Sequence, residues 1–247
     1  MAAYARTMGR GAYRDEGVVL RTYKLGEADR IVVLMTQQHG KVRAVAKGVR
    51  KTKSKFGARL EPASQVHLAL YEGRSELQTI SDAEIIESNR ELREGFGLYT
   101  HTVPMLEAVD QIAQDHEPDP TLYRMLTRAL RTLDQRRTPL VTTAFFWKLL
   151  AHSGFEPRLE ACARCDATES LRAFSLEIGG VVCRDCARGG GAALSAEALE
   201  LMRRMLGGRL NEALAEPMGD SAYEVQRLAL GALEHQIERR LRSAAAL

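Results

Sequence analysis

Four cysteines are the residues of this 247-residue chain best suited to hold a metal, and they fall in two pairs, CARC (162–165) and CRDC (183–186). The spacing C-x2-C-x17-C-x2-C lies within the range of a four-thiolate zinc site. A two-residue gap lets both thiolates of one knuckle face the same ion, and two knuckles complete a tetrahedron. Cys162, Cys165, Cys183 and Cys186 are therefore read as ligands of a Zn2+ that is structural, because four thiolates leave no open position for water or substrate. A redox dithiol pair is the rival assignment, and two knuckles at this distance fit a metal better. The intervening ATESLRAFSLEIGGVV is expected to form a short β-hairpin turning at Gly179-Gly180, returning the second pair to the first.

A second group of residues suits a different chemistry. AKGVRKTKSKFGARLEP runs from Ala46 to Pro62 and puts Lys47, Arg50, Lys51, Lys53, Lys55 and Arg59 into thirteen residues, with no acid before Glu61. Lys41 and Arg43 on the preceding strand extend the run. Such a stretch is often a solvated loop. Here the charge is of one sign, it lies between predicted strands, and Gly48 and Gly57 let the backbone bend toward a ligand. Neutralising phosphates with these cations would release condensed counterions, giving a salt-dependent affinity for nucleic acid with little sequence preference. Tyr23, Phe56 and Tyr71 are candidate stacking faces for unpaired bases and equally candidates for the core, with Phe56, inside the basic run, the one most expected to be exposed.

Charge separates the chain into unlike parts. Residues 1–82 hold fifteen Lys or Arg against eight Asp or Glu, and the remainder holds twenty against twenty-four, which together give the net +3. Only the first part is suited to an anionic partner. The sequence shows no P-loop, no GxSxG and no metalloprotease His/Glu spacing, so the expectation is a protein that is not an enzyme. His101, His116 and His152 fall on predicted helices without a partner pattern, and Asp82 and Glu84 at a strand end. No apolar run approaches a membrane span, and the N-terminus lacks the apolar centre of a secretory signal; a cytoplasmic protein without disulfides is expected.

The elements that must carry these groups change character along the chain. Residues 1–12 read as a flexible tail. GVVLRTY (17–23), RIVVLMT (30–36), VRAVAK (42–47), SQVHLALY (64–71) and ELQTISDAEII (76–86) are short apolar runs parted by turns, the last two by EGRS. Their spacing predicts five strands closing into a small barrel over residues 13–84. From Ser88 the period becomes helical. LREGFGLYTHTVPMLEAVDQIAQ (92–114) is predicted to be kinked or divided at Pro104. Asp119-Pro120 opens a second helix, and Pro139 starts a third that ends at Gly154. Ser195 and Asp220 are predicted caps for the last two, and RGGGAA (188–193) is read as a hinge. The fold class is α+β: a five-stranded barrel, then a helical domain at 88–247 containing a cysteine module at about 158–188.

With these residues placed, the chain resembles the bacterial RecO family of DNA-repair and recombination mediators. The resemblance rests on EGVVLRTYKLGEADRIVVLMTQQHGKVRAVAKGVRK (16–51), LEP (60–62) and FFWKLLAHSGFEPRLEACARC (145–165), and extends from Tyr13 to the C-terminal helix. It implies an OB-fold barrel, binding of single- and double-stranded DNA, annealing of complementary strands without ATP, and loading of RecA with RecR and sometimes RecF. It implies a nucleoid location, the basic cluster as DNA contacts and the four cysteines as zinc ligands. Some members also bind the C-terminal tail of single-stranded-DNA-binding protein through arginines early in a helix where this chain has Thr142, Thr143 and Ala144. Lys148 is the sole cation inside that helix. Arg128, Arg131, Arg136 and Arg137 on the preceding one are the alternative, so the tail site stays unassigned. An RNA-binding OB-fold factor of translation or ribosome assembly, and a zinc-containing protein-interaction module, are the rival readings.

Overall fold

A computed structural model describes residues 11–73 and 76–246. The expected tail therefore lies outside the described residues as far as residue 10, as do Arg74 and Ser75 of the EGRS turn. Five strands, β1 (Ala12–Leu25), β2 (Asp29–Thr36), β3 (Gly40–Ala46), β4 (Gln65–Tyr71) and β5 (Gln78–Glu87), close into a barrel in the order β1-β2-β3-β5-β4. β1 is long enough to serve two neighbours. Its first half pairs with β4 from Ala12 to Val18, and its second half pairs with β2 as far as Leu25. A bulge between Val19 and Arg21 bends it from one partner to the other. A short parallel contact, Ala44 opposite Gln78 and Val45 opposite Thr79, closes the cylinder. This is the OB-fold arrangement, and its core is the inward row of each strand, including Val19, Val32, Leu34, Val42, Ala44, Val66, Leu68, Leu70 and Ile80.

The described residues group into two compact units: those up to 102 with 106–131, and 103–105 with 132–246. Two helices follow the barrel, α1 (Arg90–Glu94) and α2 (Phe96–Ile112). The break falls at Gly95, not at Pro104, around which α2 is continuous. Proline removes one backbone donor and crowds the preceding turn, at a cost of about 3 kcal/mol, which α2 bears without ending, whereas Gly95 takes an extended conformation in which its N–H closes α1 on the Glu91 carbonyl. After α2 the chain lies along β3: Lys41 N–H donates to the Gln114 carbonyl, and His116 N–H to that of Lys41. Gly40 has φ +67°, and an added β-carbon would run into the Glu117 carbonyl, so glycine is required there. Helix α3 (Pro120–Arg136) starts as expected, with Asp119 Oδ1 accepting from Leu122 N–H at 2.8 Å and proline in the first turn.

In the second unit, α4 (Leu140–His152) is buried from Leu140 to Trp147 and at Leu149 and Leu150, as a central helix must be. Strands β6 (Leu171–Ser175) and β7 (Gly180–Cys183) form the expected hairpin, and Gly179 turns it with φ +70°. The RGGGAA stretch departs from the hinge reading. Its two alanines form β8 (Ala192–Ala193), which pairs with the free edge of β6. Ser195 caps α5 (Ala196–Leu206) as predicted, its Oγ accepting from Ala198 N–H at 3.1 Å. A short α6 (Leu210–Ala213) precedes α7 (Asp220–Gln236). Asp220 is the first residue of α7 and not its cap; that position is Gly219. Glu224 of α7 accepts from both the N–H and the Oγ of Ser195, at 2.7 and 2.8 Å, tying the two helices together.

Candidate nucleic-acid interface and metal centre

The basic stretch between β3 and β4 is a chain of tight turns fastened to the barrel at two places. Its first part is stitched to the β1–β2 turn. Gly48 N–H donates to Asp29 Oδ1 at 2.7 Å, Arg50 N–H to the Ala28 carbonyl at 2.9 Å, and the Arg50 guanidinium to the Gly26 and Glu27 carbonyls. Further along, Phe56 and Leu60 are 1% and 2% exposed and belong to the barrel core, with Val49 packed beside them. Phe56 is thus not the exposed stacking face expected of it. Phe56 and Leu60 stand at either end of a turn that Gly57 opens with φ +51°, and both side chains enter the barrel core; burying each contributes about 1.5–3 kcal/mol. Tyr23 and Tyr71 do remain exposed, at 43% and 47%.

This anchoring sorts the candidate cations. Lys47, Lys51 and Lys53 are exposed and form no ion pair among the described residues. Arg50, Lys55 and Arg59 are also exposed and donate only to backbone carbonyls: Lys55 to Ser81 at 2.6 Å, Arg59 to Lys55. Carbonyls do not neutralise charge, so all six present an uncompensated positive surface. Lys41 stands apart. It is 8% exposed, donates to the Asp110 carbonyl at 2.8 Å and lies 3.4 Å from Asp115 Oδ1. Covered by the chain that follows α2, it leaves the exposed patch. Arg43 is half exposed and 3.3 Å from Asp115 Oδ2.

Asp110, buried at 4% exposure, is the centre of this ionic cluster. Arg21 Nε lies 2.8 Å from its Oδ2 without the alignment of a hydrogen bond. Burial raises the Asp110 pKa above the ordinary carboxylate range, while Arg21, Lys41 and Arg43 pull against that rise. Neither Arg21 nor Asp110 stood out in the sequence; the one available signal was Arg21 two residues from Tyr23 on a strand, sharing its face.

In the second unit the hairpin brings the cysteines together. Cys162 and Cys165 precede β6, Cys183 ends β7, and Cys186 opens a 3-10 turn, Cys186–Gly189. The four sulfurs all lie within 4.8 Å of one another, and Cys165 Sγ is 3.7 Å from Cys183 Sγ. A tetrahedron of 2.3 Å zinc–sulfur bonds has edges of about 3.8 Å, so the Cys165–Cys183 separation already matches a tetrahedral metal, and all four sulfurs lie within about an ångström of that spacing or closer. Burial raises the Cys162 pKa, but backbone N–H groups of Cys183, Arg164 and Cys165 outweigh it and bring the thiol down to about 6. Cys186, facing the sulfurs of Cys165 and Cys183, is pushed up to about 12. Cys165 is raised as well, so these two thiols lose their protons readily only with a cation beside them. Tetrahedral sulfur ligation fits zinc or an iron–sulfur centre.

Comparison with known proteins agrees with this architecture. The family model described as "Recombination protein O N terminal" matches residues 8–89, and that described as "Recombination protein O C terminal" matches residues 93–245. The chain is 41% identical over 235 residues to a DNA repair protein RecO of Frankia casuarinae, covering 94% of this chain and 96% of that one. It is 42% identical over 204 residues to a DNA repair protein RecO of Cutibacterium acnes, covering 79% and 82%. Among the described residues no helix is long and apolar enough to cross a membrane.

Proposed function

The chain belongs to the recombination protein O family, whose role is DNA repair and recombination, and from that membership we propose how its two sites divide the work. The barrel binds single- and double-stranded DNA through phosphates, with Lys47, Arg50, Lys51, Lys53, Lys55 and Arg59 as contacts and Arg43 at their margin. Two strands repel each other through their backbones; a cationic surface holds one and lowers the cost of bringing the other near. Base pairing then supplies the driving free energy, so annealing needs no ATP and no covalent step. The helical unit receives protein partners: RecR, with RecF and RecA in the loading reaction, and the tail of single-stranded-DNA-binding protein. Cys162, Cys165, Cys183 and Cys186 hold a Zn2+ whose role is structural. The protein works in the cytoplasm, at the nucleoid.

The observation that carries this reading is the group of uncompensated cations held in place by Phe56 and Leu60. Charge reversal tests it most cleanly at Lys47, Lys51 and Lys53, which support no other part of the fold. Annealing of complementary oligonucleotides, followed by energy transfer without ATP, should be fast with the wild type and weaken with salt. The triple Lys→Glu variant should lose about tenfold or more in DNA affinity, and its salt slope should fall by about two to three units. Annealing and a salt slope equal to the wild type's would place DNA elsewhere, and a marked preference for structured RNA would favour an RNA-binding factor instead.

A further inference from the structure

The outer surface of the barrel carries, beside the loop, a strip in which apolar and cationic side chains alternate in register. Tyr23 of β1 lies opposite Ile31 of β2, which lies opposite Val45 of β3. One step along, Arg21 lies opposite Val33, and Val33 opposite Arg43. Paired positions share a face of a sheet, as do positions two apart, so these side chains share the outer face of the barrel, on which Val33 is covered while Tyr23, Arg21 and Arg43 reach solvent. The Tyr23 ring is held in place from one side. The Arg21 guanidinium carbon sits 4.9 Å from the ring centroid, and Asp110 holds that guanidinium by its Nε at 2.8 Å. Arg21 therefore covers one part of the ring, and the 43% of Tyr23 still exposed faces water on the body of the barrel. The phosphate-binding loop is continuous with this strip: Lys47 follows β3 directly, and Arg50 is fastened to the turn that follows β1.

We propose that Tyr23, at the end of an apolar row that continues through Ile31 to Val45, is a base-stacking site for unpaired strands, and that it makes the protein discriminate single strands from duplex. The proposal rests on the reading of the neighbouring loop as a phosphate contact. Phosphates are common to both forms of DNA, whereas the face of a base is free only in the unpaired one, and a flat ring beside fixed cations recognises both parts of a single strand. The arrangement also gives annealing a direction. When two bound strands pair, their bases leave Tyr23 while their phosphates stay on the loop, so the duplex is held less firmly than the strands that made it.

The test compares binding of a labelled oligothymidine and of a labelled duplex by Tyr23→Ala, Tyr23→Phe and the wild type. Tyr23→Ala should lose about 5- to 100-fold in affinity for the single strand and less than about twofold for the duplex, while Tyr23→Phe keeps both. Photocrosslinking of an iodouracil oligonucleotide to the wild type should mark Tyr23, a readout independent of how any variant folds. Equal losses on both DNAs, no loss on either, or a crosslink confined to other residues would overturn the assignment. Failure of the loop reading itself would show separately, as unchanged binding when Lys47, Lys51 and Lys53 are reversed.

Discussion

Replacing Cys162 with serine is expected to strip the metal from the helical unit and melt the hairpin built around it. The side of the module that faces the sulfurs has only a small core. Its buried cluster is Cys162, Ala173, Val182 and Cys183, so two of its four members are proposed ligands. A metal binding four preplaced thiolates stabilises isolated zinc modules by about 10–16 kcal/mol. Here part of the module survives without it, because Phe174 of β6 packs edge-on against Trp147 of α4 at 5.5 Å. The purified protein should release one zinc per chain when its thiols are titrated with an organomercurial in the presence of a zinc indicator. Cys162→Ser should release none and should lose hydrogen-exchange protection at Val181 and Val182 while the barrel keeps its own. Zinc retained by the variant, or iron in place of zinc in the wild type, would refute the assignment. DNA binding by the barrel should survive the substitution.

The ionic cluster under α2 predicts the second large effect. Asp110→Ala should destabilise the unit containing the barrel by about 2 kcal/mol, because it removes the buried carboxylate that lies 2.8 Å from the Arg21 guanidinium and 3.9 Å from the Lys41 ammonium and leaves Lys41 only the half-exposed Asp115. Removing both charges should cost far less. Lys41→Met with Asp110→Leu replaces a buried pair by apolar side chains of similar size, an exchange often neutral or stabilising. Urea denaturation of the two single variants and the double one measures the coupling, and additive losses would show that the pair does not act together. The pH dependence has a definite sign. A carboxyl whose pKa is raised by burial holds its proton more tightly folded than unfolded, so ionisation costs stability. Relative to Asp110→Asn, the wild type should gain most below the unfolded carboxylate pKa of about 3.9, and that gain should disappear as pH rises through the native value.

What the sequence revealed and what it hid follow from the range of the interactions involved. The cysteine spacing is local, and both knuckles and the hairpin between them fold within about one supersecondary unit, so the gathering of the four thiols was legible. Strand alternation was legible for the same reason: β3 and β4 bury alternate residues through most of their length. Phe56 was misjudged because its neighbours in sequence are cations, while its neighbours in space belong to strands on both sides of the loop. Lys41 was misplaced because the acids that neutralise it come some seventy residues later. β8 was invisible because two alanines after a glycine run form a strand only when β6 offers them an edge. Tyr23 could be named from its type, but the guanidinium that orients it depends on Asp110, and no local pattern links those residues.

The double fastening of the basic loop also sets where the chain can tolerate length. Val49 and Phe56 are tied to the barrel, whereas Lys51, Thr52 and Lys53 between them bury no side chain. The added entropy of a longer closed loop grows only slowly with its length. A short neutral peptide or a fluorescent label inserted between Thr52 and Lys53 should therefore leave the fold unchanged, whereas the same insertion two or three residues later would displace Phe56. That point is permissive and lies among the proposed phosphate contacts, which makes it a place to report on the ligand without perturbing what holds the loop.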